Sequence, residues 1–251
     1  QSIHDARDEP LLIAVDHEGG RVQRFREDGF TTLPAMSQLG QLWTRDAVKA
    51  AAVAADTGYV LAAELRACGV DMSFTPVLDL DWGVSKVIGD RSFHRNPRAV
   101  SMLAAGLIRG LNKAGMAACG KHFPGHGDTD LDSHYDLPVI AHERGRLDSI
   151  ELYPFRRLAR EGLNAVMVAH LEVPALDSTT GAPSTFSRSI VNDLLKDEIG
   201  FEGLVFTDAL NMKGVANGNE AGEIELRALL AGNDVLLFPQ DPLKAIERIK
   251  R

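Results

Sequence analysis

The densest chemistry in this 251-residue chain lies at 120–138, GKHFPGHGDTDLDSHYDLP, where one Lys, three His and four Asp fall within nineteen residues. Such crowding is foreign to a core, and Gly120, Pro124, Gly125 and Gly127 make the segment a loop with sharp turns. Within it, Asp132 and His134 are separated by one residue. In extended backbone, residues i and i+2 point to the same side. The carboxylate can then fix the imidazole tautomer and leave the other ring nitrogen to exchange a proton near neutral pH. A second carboxylate, Asp208, ends the apolar run of GLVFTDALNMKG. There it can attack the anomeric carbon of a sugar while a proton donor assists the leaving group. The bland readings of the same residues are a solvated polar loop for 120–138 and a helix N-cap for Asp208.

A third cluster is AVDHEGGRVQRF at 14–25. Asp16 ends an apolar run, Gly19 and Gly20 allow a tight turn, and Arg21 and Arg24 follow. A carboxylate here can accept from paired sugar hydroxyls while an Arg binds another hydroxyl or a carbonyl oxygen. The glycines do not form the G-x-G-x-x-G of a dinucleotide site. IGDRSFHRN at 88–96 adds Arg91, for which a surface salt bridge is the bland reading. A metal-dependent hydrolase is the competing chemistry, since His122, His126, His134, His170 and several Asp could surround a divalent ion. No H-x-H pair ends the first strand and no compact ligand spacing recurs. A saccharide-binding domain without turnover is the competing class.

These side chains need a scaffold. Apolar runs suited to buried parallel strands occur at 11–15, 72–78, 117–123, 165–170, 203–207 and 235–238. Helical spacing fills 46–68, 97–114, 145–161, 187–198, 221–231 and 241–250. The alternation, with no linker or low-complexity tract, predicts a single α/β domain over 1–251. Asp16, Asp79, Asp81, Lys121, His122, His170 and Asp208 all follow strands. Charged residues at the ends of many successive strands describe the mouth of a TIM-type (β/α) barrel better than the single crevice of an open doubly wound sheet. Six βα units are visible where a standard barrel has eight.

Composition narrows the partners. With 45% hydrophobic and 25% charged residues the chain is an ordinary globular one. Its net charge of −8 argues against nucleic acid and against an anionic membrane surface. A small neutral substrate fits better. Cys68 and Cys119 sit in apolar stretches and read as small buried thiols, which leans to the cytoplasm. No run approaches a membrane span, and the start, QSIHDARDEP, lacks the apolar core of a signal peptide.

The strings AVDHEGGRVQRF, FTPVLDLDWG, GDRSFHRNP, CGKHFPGHGDTDLDSH and VFTDALNMKG, in this order across most of 11–239, resemble glycoside hydrolase family 3. Within that family they are similar to the single-domain bacterial β-N-acetylglucosaminidases of cell-wall recycling. The resemblance implies a TIM-type barrel and a two-step retaining mechanism, with Asp208 as nucleophile and His134, oriented by Asp132, as acid/base. It implies that Asp16, Arg24, Arg91, Lys121 and His122 bind the sugar and that His170 borders it. The implied substrates are terminal β-linked N-acetylglucosamine units, including those of muropeptides from peptidoglycan, and no metal or organic cofactor is implied. The family's domain also has two βα units before the strand at 11–15, so the expected protein is a monomer with an open barrel or an oligomer closed by a partner.

Overall fold

The computed structural model describes residues 11–129, 137–216 and 222–251. Five parallel strands pair in chain order: β1 (Ala14–Val15), β2 (Met72–Ser73), β3 (Ala117–Phe123), β4 (Ala165–Val168) and β5 (Leu204–Thr207). The sixth apolar run contributes one parallel bridge, Val235 to Phe206. Among the described residues nothing pairs the free edge of β1 with Val235. The described residues thus form a curled parallel sheet, a half-barrel with helices on its outer side, without the closure of the expected six-unit barrel. The expected strand at 72–78 is also cut short, because Pro76 has no N–H to give a ladder. Leu78 resumes the pairing with the Lys121 carbonyl.

Helices follow the apolar spacing closely. The two longest are α2 (Ala47–Ala67) and α3 (Pro97–Lys113). Asp46 caps α2 by accepting from the Lys49 N–H, and Asn96 caps α3 ahead of a Pro at its first position. The single helix expected at 145–161 is two, α4 (Arg144–Ser149) and α5 (Tyr153–Arg160). Pro154 explains the break, since its ring is tolerated in a first turn but not in a helix interior. A helix not anticipated, α1 (Met36–Arg45), buries Met36 and Leu39. The expected helix at 187–198 forms over Ser189–Glu198 with π-type bonding, and α7 (Glu223–Ala231) and α8 (Pro242–Ile249) follow α6 (Lys213–Ala216). No described helix is long and apolar enough to cross a membrane. Cys119 is buried as expected, but Cys68, just past the end of α2, is exposed.

Strand alternation divides the core into two. Met72, Cys119, Ala165, Met167 and Phe206, with Ala14, Val235 and Leu237 against them, fill the concave side of the sheet. Ala118, Val166, Val168 and Val205 face the helices on the convex side. On the helix layer, α2 and α3 approach until their backbones touch. A β-carbon at Gly110 would lie 2.0 Å from the Ala55 carbonyl oxygen, and one at Gly58 would lie 2.2 Å from that of Leu107. Gly110→Ala should accordingly destabilise the protein by about 2 kcal/mol or more. Gly145→Ala, in the first turn of α4 with open space around it, should stabilise by about 0.5 kcal/mol. Denaturant unfolding of the two variants beside the parent checks both signs.

Candidate active site

The concave rows of side chains run upward into the sheet's carboxyl end. Asp16 continues the row begun by Ala14, Lys121 that of Cys119, and Asp208 that of Phe206, each two residues on. They meet around a cavity of about 220 Å³, lined also by Arg24, Arg91 and His122. Lys121 and His122 are sequence neighbours and would face opposite ways in a regular strand. A register shift in the β3–β4 pairing between Lys121 and Phe123 lets both border the cavity.

One side of the cavity is a chain of alternating charges. The buried Lys121 ammonium lies 2.9 Å from Asp16 Oδ1 and 2.6 Å from Glu18 Oε1. Arg91 donates to both oxygens of Glu18, from Nε at 2.9 Å and from its terminal nitrogen at 2.8 Å. Burial works against the charge on Lys121, but Glu18 and then Asp16 outweigh it and raise its pKa. Burial likewise opposes the charge of Glu18, yet Lys121 and Arg91 hold its pKa at about 2. The surface-bridge reading of Arg91 is corrected, since its side chain is 11% exposed and its partner's 1%. Arg24 is looser, 60% exposed and 3.9 Å from Asp16. Arg21, also near the mouth in sequence, instead pairs with Asp90 and donates to the carbonyls of 86–88, tying two mouth loops together.

His122 is held by a carboxylate behind it. Its Nδ1 is 2.6 Å from Asp79 Oδ2, and the backbone N–H groups of His122 and His126 also donate to Asp79. Burial pushes the Asp79 pKa up, but the His122 ring brings it below the usual aspartate value. An ionised Asp79 makes Nδ1 the protonated nitrogen of His122 and leaves Nε2 for a ligand. Burial, followed by the nearby His122, lowers the pKa of His126.

Asp208 is partly exposed to the cavity. Its Oδ1 accepts from the Ala209 N–H at 2.8 Å, and Oδ2 accepts from no described residue. Burial would raise its pKa, but His122, His170, the Ala209 N–H and Lys121 together bring it below the ordinary value. The N-cap reading is corrected: the next helix, α6, begins at Lys213, and Asp208 caps nothing. His170 also differs from expectation. It follows the convex row of Val166 and Val168 and is fully buried away from the cavity. Its Nδ1 is 2.6 Å from Thr185 Oγ1, and its Nε2 is 3.0 Å from the Ala209 carbonyl oxygen. Its place is beneath the turn that carries Asp208, and it does not line the cavity.

Asp132 and His134 lie outside the described residues. At the two ends of their segment, Asp128 accepts from His142 Nε2 at 2.7 Å and from Arg146 at 2.8 Å. Asp128, His142 and Glu151 are the described grouping close enough to share a metal ion. The Arg146 guanidinium already bridges Asp128 and Glu151 and lies over the Trp82 ring, so a cation occupies the centre of that group. Among the described residues, no group that includes His122, His126 or His170 brings its ligand atoms close enough together to share an ion. Two members of the site escaped the sequence reading. Glu18 stands two residues after Asp16, so the same-side rule applied to Asp132 and His134 would have found it; Asp79 was visible only as a strand-end acid.

Known proteins place this geometry in context. The glycosyl hydrolase family 3 N-terminal domain matches residues 2–251. A beta-hexosaminidase of Bordetella avium is 54% identical over 254 residues, covering 100% of this chain and 71% of that protein. The crystal structure of native NagZ from Neisseria gonorrhoeae is 49% identical with a TM-score of 0.88, covering 98% of this chain and 69% of that one. NagZ in complex with N-trifluoroacetyl-D-glucosamine gives 48% and 0.89, over 99% and 70% of the two chains. Fold, strand-end acids and relatives together define a glycoside hydrolase on a parallel α/β scaffold. The chain belongs to glycoside hydrolase family 3.

The Glu18 carboxylate has a pH signature. Its pKa is depressed in the fold, so its contribution is complete above the unfolded value near 4.5 and is lost as pH falls toward about 2. The shift corresponds to about 3 kcal/mol. Unfolding free energy measured between pH 5 and pH 2 should fall steeply in the parent and less so in Glu18→Gln. The variant itself should be less stable by about 3 kcal/mol at neutral pH, because Lys121 and Arg91 remain buried without their shared partner.

Proposed function

We propose that the chain is a retaining exo-β-N-acetylglucosaminidase that removes terminal β-linked N-acetylglucosamine, including that of muropeptides derived from peptidoglycan. The observation that carries this reading is the Asp208 carboxylate, with one oxygen bonded by its own turn and the other available to the cavity, facing a set of paired charges suited to sugar hydroxyls. The relatives named beta-hexosaminidase and the NagZ complex with a glucosamine derivative support the sugar assignment.

In the first step an Asp208 oxygen attacks C1 and the C1–O bond to the leaving group breaks. His134 gives its proton to the departing oxygen, with Asp132 stabilising the resulting charge distribution on the imidazole. In the second step His134 takes a proton from water, whose oxygen attacks C1 and displaces Asp208. Two inversions leave the β configuration unchanged. Asp16, Lys121, Arg91, Arg24 and His122 hold the hydroxyls, with the buried Lys121 and Arg91 kept charged by Glu18. His170 acts through the Ala209 carbonyl as a positioning residue for Asp208.

Asp208→Ala should lose covalent labelling by a 2-deoxy-2-fluoro or 5-fluoro glycosyl donor in intact-mass spectrometry and lower kcat at least about 1,000-fold. Retained labelling at another residue would overturn the nucleophile assignment. His134→Ala should slow N-acetylglucosaminides with poor leaving groups roughly 100-fold or more, and 4-nitrophenyl N-acetyl-β-glucosaminide far less. Equal losses on both would remove His134 from the acid/base role.

A further inference from the structure

Phe238 has three properties that the hydroxyl-binding set does not account for. It lines the same cavity as Asp208, yet its side chain is 64% exposed. Its φ is +50°, a left-handed conformation that a bulky L-residue rarely adopts and that recurs at ligand-binding positions. Pro239 follows it and restricts its backbone further. Glycine would fill such a turn without strain, and a polar residue would suit the exposure better.

The backbone beside Phe238 is tied to the segment that carries the nucleophile. The Leu237 N–H donates to Thr207 Oγ1 at 3.0 Å, and the Leu237 carbonyl accepts from the Leu210 N–H at 2.9 Å. These bonds reach Thr207 and Leu210, on either side of Asp208, and so anchor the backbone next to Phe238 to the segment that carries the carboxylate.

Charged Asp16, Lys121 and Arg91 share the cavity's lining with apolar Phe74, Met167 and Leu237, and the exposed Phe238 lies where that lining meets solvent. A volume of about 220 Å³ takes one N-acetylhexosamine. The unit to which that sugar is linked must then lie at the rim. A pyranose presents a face of C–H bonds, and the negative π-face of an aromatic ring attracts such partially positive hydrogens.

We propose that Phe238 is the platform for the leaving group: its ring packs on the face of a saccharide aglycone and selects glycosides whose aglycone is itself a sugar. This rests on the N-acetylglucosaminidase reading and adds a specificity-determining residue to it. A leaving group with no ring gains nothing from the platform.

The test compares two substrates that form the same glycosyl-enzyme, N,N′-diacetylchitobiose and N-acetyl-β-glucosaminyl fluoride, on the parent, Phe238→Ala and Phe238→Trp. The ratio of kcat/KM for the disaccharide to that for the fluoride should fall roughly 5- to 10-fold in Phe238→Ala. In Phe238→Trp it should stay at or above the parent ratio. A ratio unchanged in Phe238→Ala, with both substrates turned over, overturns the platform and leaves the hydrolase reading standing. Failure of the parent to release either fluoride or sugar would remove the hydrolase reading, and the platform with it. Because each variant serves as its own reference through the fluoride, a general loss of folded protein cancels from the ratio.

Discussion

The Lys121 ammonium is the constraint on which the site depends. A cation that is 1% exposed loses its hydration, and only nearby opposite charge can keep it protonated. Asp16 and Glu18 supply that charge from the segment after β1, and Glu18 in turn requires Arg91 from a separate loop. The charge pairing thereby fixes how three chain segments, far apart in sequence, sit relative to one another. Removing one member leaves another buried and unpaired, so these contacts act as a unit.

Two carboxylates with opposite duties flank that unit. Asp79 is enclosed, accepts from the ring of His122 and from two backbone N–H groups, and has no route to a ligand. Asp208 keeps one oxygen toward the cavity. Both have depressed pKa values despite burial, which leaves both ionised at neutral pH, but only Asp208 lines the cavity. The difference comes from strand parity and backbone donors rather than from residue type.

The same parity explains how much of the molecule was legible in its sequence. Strand positions, most helices and the gathering of polar residues at strand ends followed from apolar spacing. The identities of Asp16, Lys121, His122 and Asp208 as cavity residues followed too. For His170 a strand-end position does not settle which face it takes; Val166 and Val168 put it on the convex side. Glu18 was missed because its importance lies in contacts to Arg91 and Lys121, at separations of 73 and 103 residues, which local pattern does not record. The open edge of the sheet among the described residues is consistent with the six apolar runs. That the last makes only one bridge is not legible in them.

The pairing of charges around the cavity also shapes the field a substrate meets on approach. Arg24, Arg91 and Lys121 stand against Asp16, Glu18, Asp79 and Asp208, so the site carries only a small part of the chain's net charge of −8. Near-cancellation at this short range leaves little potential to reach beyond a Debye length of about 8 Å. Encounter with a neutral sugar is thus governed by diffusion and shape, with weak dependence on ionic strength. Discrimination begins only at contact, where directional hydrogen bonds replace the long reach of charge.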